Sequence, residues 1–252
     1  MDILNTNNKL IRKKILSMFG GSLAAMITSA IALMADTILA GAFFGKYAIA
    51  AVAIGTPIIN IFQSLTQTII NGASIKMNIA AGKGEKKEVQ RLFSSALLFA
   101  IIRGTLLILV CQFFAGVLVT LWGGSSEVAD TAVWYLRGAS GCILFGTINL
   151  FMSKTLALFG QQKIILRSSL LAVTGNLVFS TLLIKILPDN IAVLGLGAGT
   201  WLGGILGALS SYVALRKVGL TVKILNSPLS MDSLFADFPP PATALPTVLY
   251  PA

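Results

Sequence analysis

Histidine does not occur in this chain of 252 residues, and acids are scarce, nine against nineteen Lys and Arg. Without histidine, a His proton relay and a His-ligated metal are excluded. The two cysteines, Cys111 and Cys142, stand singly in apolar stretches with no Cys-x-x-Cys spacing. They read as small buried hydrophobes rather than a disulfide or a metal site. Charged residues amount to only 11%, less than half of the roughly 25% usual in a soluble domain. Without His, a nucleophile beside a base, or a cluster of acids, no catalytic constellation stands out, and an enzyme is not expected.

What is present is apolar. Hydrophobic residues make up 56% of the chain, mean hydropathy is +0.86, and uninterrupted apolar runs approach about 20 residues. Runs of that length identify an all-α membrane protein, whereas a β-barrel needs short alternating segments. The formal net charge of +10 invites a nucleic-acid reading. The basic residues, however, cluster at the ends of the apolar segments, as membrane topology demands, so no nucleic-acid partner is expected. Arg12-Lys13-Lys14 before an apolar run imitates a secretory signal, but the run is too long for one and more spanning segments follow.

Six spanning helices are expected, over about 15–40, 48–80, 92–121, 134–159, 166–187 and 193–215. The first holds one carboxylate, Asp36, in a stretch with no Lys or Arg between Lys14 and Lys46. An ionised acid at membrane depth costs roughly 2.5–3.5 kcal/mol on insertion scales, so it usually faces a protein-lined, wet cavity. The other reading is a carboxylate near the helix end, solvated by headgroups. Ser22, Ser29 and Asp36 recur every seven residues with Ala25 and Ala32 between them, a small and polar face suited to helix contact.

Along the second helix, Asn60, Ser64, Gln67, Asn71, Ser74 and Asn78 recur at three or four residues, with Gln63 adjoining. Amides unpaired in lipid are costly, so this stripe faces helices or water. Interhelical bonding and the lining of a cavity are both open; the length of the stripe favours lining, by Asn60, Gln63, Gln67 and Asn71. Pro57 near its start removes one backbone donor and bends the helix. The third helix carries Arg103, which either snorkels to an interface or pairs with a buried acid. Ser125 or Ser126 is placed to cap a short amphipathic approach to the fourth helix, which holds Asn149 and Lys154; the fifth holds Asn176, with Thr174 and Ser180 expected to line the same cavity. In the sixth, Gly195, Gly199, Gly203 and Gly207 repeat every four residues, a sign of close helix approach.

Topology follows from the basic residues. One set of connectors holds Lys9, Arg12, Lys13, Lys14, then Lys83, Lys86, Lys87, Arg91, then Lys163, Arg167, then Arg216, Lys217 and Lys223, whereas the other set holds Lys46 and Lys185. The basic side is expected in the cytoplasm, which puts both ends of a six-helix chain there. The organisation expected is a basic N-terminus (1–14), a transmembrane lobe (15–225) and a disordered tail (226–252). The tail holds six of the eight prolines and cannot form another spanning helix.

Ala35-Asp36-Thr37-Ile38-Leu39-Ala40-Gly41, then Ala48-Ile49-Ala50-Ala51-Val52, Pro57, Gly72-Ala73-Ser74 and Gly82-Lys83-Gly84-Glu85 follow in order. With Gly160-Gln161-Gln162-Lys163 and Gly175-Asn176-Leu177, this succession resembles the multidrug and toxic compound extrusion (MATE) family over about 10–220. The resemblance implies a bundle of six transmembrane helices equivalent to one lobe of a twelve-helix transporter working by alternating access. It implies export of cationic or amphipathic organic compounds in exchange for Na⁺ or H⁺, with no other cofactor. Carried over by position, Asp36 is the cation or proton site, and Asn176 and Asn149 line the same pocket. Many relatives also carry an acid seven residues after that Asn and a second Asn three residues after it; here Leu183 and Phe179 stand there.

A single lobe implies a partner, either a second six-helix lobe or another copy of the chain, within the lipid of the cell membrane. Two rivals make different demands. A lipid- or polysaccharide-carrier flippase of related fold requires Arg103 and Lys154 to face a cationic cavity. A truncated, non-transporting fragment requires the frame to be lost after about residue 226.

Overall fold

A computed structural model describes residues 34–221 except Ser125, together with Leu23, Ile27, Ala30 and Ile31; of Ser126 only the backbone is described. The expectations for 1–14, for Ser22 and Ser29, and for 226–252 lie outside the described residues. The helices are α1 (Met34–Phe44), α2 (Lys46–Gly82), α3 (Lys86–Leu121), α4 (Ser126–Ala139), α5 (Gly141–Leu158), α6 (Gln162–Ile186) and α7 (Leu194–Lys217). Among the described residues, five stretches are long and apolar enough to cross a membrane: α2, α3, Glu127–Leu158 spanning α4 and α5, α6 and α7. At about 1.5 Å per residue, the 37 residues of α2 exceed the roughly 30 Å hydrocarbon thickness by several turns.

Helix ends follow local chemistry. At the end of α5, Gly160 takes a positive φ of 69° and donates to the Ala157 carbonyl, while Gln161 donates to the Leu156 carbonyl. This pair of bonds satisfies two carbonyls that the helix leaves without partners. The same pattern recurs at Gly84, Gly123 and Gly219. An added Cβ at Gly160 meets nothing within 4 Å, so Gly160→Ala tests backbone strain alone. It is expected to lower stability by about 1 kcal/mol, since the left-handed region costs a side chain roughly that much, read as a small fall in the detergent melting temperature.

Two helices depart from the sequence expectation. The third begins at Lys86 rather than 92 because the charged connector coils into its first two turns, where Arg91 pairs with Glu88 at 2.6 Å. The fourth is interrupted at Ser140. Gln112 donates to the Arg137 carbonyl at 3.0 Å, Ser140 Oγ to the same carbonyl at 2.8 Å, and Trp201 Nε1 to the Gly138 carbonyl at 2.9 Å. Side chains thereby bond carbonyls that otherwise serve the next turn. The preceding piece, α4, joins the short approach expected from the sequence to the first six residues, 134–139, of the expected fourth helix.

Two apolar cores fill the bundle. One lies toward the end where α2, α5 and α7 finish, around Ile70, Met77, Phe93, Phe151 and Leu215, with Phe93 and Phe151 stacked at 5.3 Å. The other occupies the opposite end, around Ala48, Ile58, Cys111, Leu136 and Leu196. The glycine repeat of α7 lies directly on α6: a Cβ at Gly199 would meet Ser180 Oγ at 2.1 Å, and one at Gly207 would meet the Ser168 carbonyl at 2.9 Å. Without that approach, α6 and α7 could not both reach Asp36. Arg103 is half-buried in the middle of α3, lines neither the Asp36 cavity nor the groove beside Lys154 and has no carboxylate partner among the described residues.

Candidate functional site

Asp36 is 7% exposed, and its two carboxylate oxygens are held by different helices. Asn176 Nδ2 of α6 donates to Oδ1 at 3.1 Å, and Thr200 Oγ1 of α7 donates to Oδ2 at 2.8 Å. Thr200 Oγ1 also approaches Asn176 Oδ1 at 3.3 Å and the Leu196 carbonyl at 3.2 Å. A hydroxyl has one proton, and the shortest approach marks the carboxylate as its acceptor. Ser180, one turn beyond Asn176, donates to Asn176 Oδ1 at 2.9 Å and so fixes the amide with its NH₂ toward Asp36. The order is therefore Ser180 to Asn176 to Asp36, with Thr200 closing the other side.

The carboxylate borders a cavity of about 340 Å³. Six helices contribute: α1 through Asp36, α2 through Thr56, Asn60 and Gln63, α4 through Tyr135, α5 through Gly146 and Asn149, α6 through Asn176, and α7 through Thr200 and Trp201. Gln63 crosses from α2 to donate to the Cys142 carbonyl at 3.2 Å. It can do so because Gly146 leaves room, a Cβ there falling 2.3 Å from Gln63 Nε2. Trp201 stacks on Phe145 at 5.3 Å while its indole N–H is held by Gly138. Tyr135, 4% exposed, lies with its hydroxyl 3.4 Å from Thr56 Oγ1.

No Lys or Arg lines this cavity among the described residues. Asp36 is thus met by neutral donors only. A buried carboxylate in that setting is stabilised further by a proton or a small cation. The oxygens of Asp36, Thr200 and Asn176 supply the hard donors that Na⁺ prefers, although Asn176 must then turn its amide oxygen inward. The aromatic faces of Tyr135 and Trp201 suit the apolar or cationic part of a larger guest.

Of the residues singled out in the sequence, Asp36, Asn176, Asn149, Asn60 and Gln63 come together here. Ser180 sits behind Asn176 and supports it. Gln67, Asn71 and Thr174 do not line the cavity. Thr174 is exposed on another side of α6, two residues and so about 200° round from Asn176. Gln67 and Asn71 lie too far along α2, and Asn71 borders a second cavity with Ser74, Asn78 and Lys154. The ends of the polar stripe of α2 therefore border two different cavities, and Ser64 and Gln67 between them line neither.

Thr200, Trp201, Tyr135 and Thr56 were not expected at the site. The glycine repeat of the last helix reads as architecture alone, yet it carries two of the wall residues. Thr200 was the available signal, as the one polar side chain in a long stretch of Gly, Ala, Leu and Ile.

A family model described as MatE matches residues 21–182. No curated protein matches the chain. Among solved structures it is similar to a MATE protein crystallised in the bent conformation, with a TM-score of 0.77 at 18% identity, covering 88% of this chain and 50% of that one. It is also similar to a MOP superfamily transporter from Pyrococcus furiosus, with a TM-score of 0.71 at 19% identity, covering 91% of this chain and 48% of that one. A third is the MATE multidrug transporter DinF-BH, with a TM-score of 0.66 at 22% identity, covering 87% and 48%. The chain spans about half the length of these structures, as a six-helix lobe does. With the family model covering well over half of its length, the chain belongs to the MatE family of transporters.

Proposed function

We propose that this chain forms one half of a secondary antiporter of the cell membrane that exports cationic or amphipathic organic compounds in exchange for H⁺ or Na⁺. The observation that carries the reading is Asp36: a buried carboxylate, held by neutral donors from α6 and α7, at the wall of a cavity free of basic side chains among the described residues. One negative site accepts either a small cation or the positive group of a guest, but not both at full strength. That competition is what an exchanger needs. Binding of the proton or Na⁺ at Asp36 releases the guest, and alternating access then returns the site to the other face.

The second half is supplied by another six-helix lobe or by a second copy of the chain, since repeat-built transporters hold their guest between repeats. Both termini face the cytoplasm in this reading, as the basic connectors imply. A flippase for a diphosphate carrier is less well supported. Arg103 lines neither cavity, and Lys154 borders the groove that excludes Asp36.

The test is exchange in proteoliposomes containing the full chain, alone and with a candidate second lobe. Accumulated cationic dye should leave when an H⁺ or Na⁺ gradient is imposed. Dye movement indifferent to both gradients would overturn the antiport reading. Thr200→Val keeps the shape and removes one donor oxygen. Losing such a hydrogen bond costs about 1 kcal/mol, so Na⁺ should displace bound dye about fivefold less effectively, measured by titration of dye fluorescence. An unchanged titration would take Thr200 out of the cation site.

A further inference from the structure

We propose that the groove between α2 and α5, at the end of the bundle away from Asp36, binds a phosphate ester, in the first place the headgroup of an anionic lipid. This goes beyond the exchange assigned to the Asp36 cavity and concerns a different site. The groove holds about 710 Å³ and is bordered by Asn71, Ser74, Ile75, Asn78, Lys154 and Leu158. Gln63, at the floor of the first cavity, and Asn71 are eight residues apart on α2, so the two sites are about 12 Å apart along the helix axis.

Its chemistry is the reverse of the first cavity. The Lys154 ammonium donates to Asn71 Oδ1 and has no carboxylate partner among the described residues. Ser74 and Thr155 return their hydroxyls to their own helices, at the Ile70 and Phe151 carbonyls. That leaves the remaining ammonium protons, the Asn71 NH₂ and the Asn78 NH₂ free to donate. A cluster of donors around one uncompensated positive charge, in a groove too roomy for a halide alone, fits the several oxygens of a phosphoryl group.

Depth points to the lipid source. Lys154 lies one turn before the end of α5, and Asn78 one turn before the end of α2. Both are therefore at the level where a spanning helix meets the headgroups. Ile75 and Ile79, four residues apart on α2, are 61% and 54% exposed. They offer an apolar track for an acyl chain beside the charged groove.

The experiment uses the purified full chain in detergent with two probes. Native mass spectrometry measures retention of dioleoylphosphatidylglycerol against dioleoylphosphatidylcholine; a melting-temperature titration measures inorganic phosphate. Lys154→Gln is expected to reduce retained phosphatidylglycerol about tenfold, the size of one charge-assisted hydrogen bond. Lys163→Gln, at an exposed lysine of the same end, should leave it unchanged. Preference for phosphatidylglycerol that depends on Lys154 supports the lipid source. A phosphate-dependent rise in melting temperature that depends on Lys154, without lipid preference, supports a soluble phosphate ester. If Lys154→Gln matches the parent with both probes, or loses no more than Lys163→Gln, the proposal is overturned. Should Lys154→Gln fail to accumulate, Asn78→Leu at an exposed position decides alone: a several-fold loss supports the site, and unchanged binding overturns it.

Discussion

Asp36→Asn is expected to abolish gradient-driven efflux and to weaken binding of a cationic dye by about 30-fold to several thousand-fold, the range that follows from about 2–5 kcal/mol for truncating one partner of a buried charge pair. Asparagine has nearly the shape of aspartate: its oxygen can accept from Asn176 as Oδ1 does in the parent, and its NH₂ can donate to Thr200 Oγ1, whose own proton turns to the Leu196 carbonyl at 3.2 Å. The change therefore removes charge and little else. Folding should survive: a buried carboxylate without a cationic partner costs free energy in the empty protein. The variant should melt at the same temperature as the parent or above it. Loss of binding at unchanged stability is the signature of a charge used for cations. Loss of both would assign Asp36 to the packing of α1 against α6 and α7. The measurements are equilibrium dye binding and a melting curve on the same preparation.

Gly203→Leu is expected to damage the bundle severely. A Cβ at Gly203 would lie 2.3 Å from the Ala172 carbonyl oxygen, 2.3 Å from the Asn176 nitrogen and 2.9 Å from the Asn176 Cα. All three are backbone atoms, so no side chain can swing aside, and α6 and α7 must separate. Overpacking a tight interface usually costs about 1–3 kcal/mol, and a leucine against two backbone groups belongs at or above the upper end. The damage also reaches the site, because Asn176 rides on α6 and Thr200 on α7. The neighbour Gly204 supplies the control, since its added Cβ meets nothing within 4 Å. Gly204→Ala should melt like the parent. A melting temperature for Gly203→Leu within error of Gly204→Ala would show that the two helices are not held as described.

The membrane class, five of the six expected spanning segments and the contact made by the glycine repeat were legible in the chain. Each depends on a property that recurs locally: length of apolar run, placement of Lys and Arg, or a spacing of four. The Asp36 partner on α6 was also legible, through the resemblance around Gly175-Asn176-Leu177. Thr200 was not, because its role depends on where α7 lies against α6, and nothing within 194–206 encodes a distance to residue 36. The polar stripe of α2 shows the same boundary. Its period gives the face correctly, yet the division into one cavity at Asn60 and Gln63 and another at Asn71 and Asn78 is set by what α5 presents opposite. Gln63 crosses to the Cys142 carbonyl on one side of that division, and Lys154 reaches Asn71 on the other. The interruption at Ser140 was hidden for a similar reason: its carbonyls are taken by Gln112 and Trp201, from distant parts of the chain.

The most direct measurement is a competition titration on the purified chain: fluorescence anisotropy of a cationic dye, followed as Na⁺ or H⁺ is raised at constant ionic strength. Displacement in which the apparent dye affinity falls in proportion to the competing cation, and which vanishes in Asp36→Asn, is the result expected of a single shared negative site. Simultaneous binding of dye and small cation, with the dye affinity unaltered by either, would contradict it.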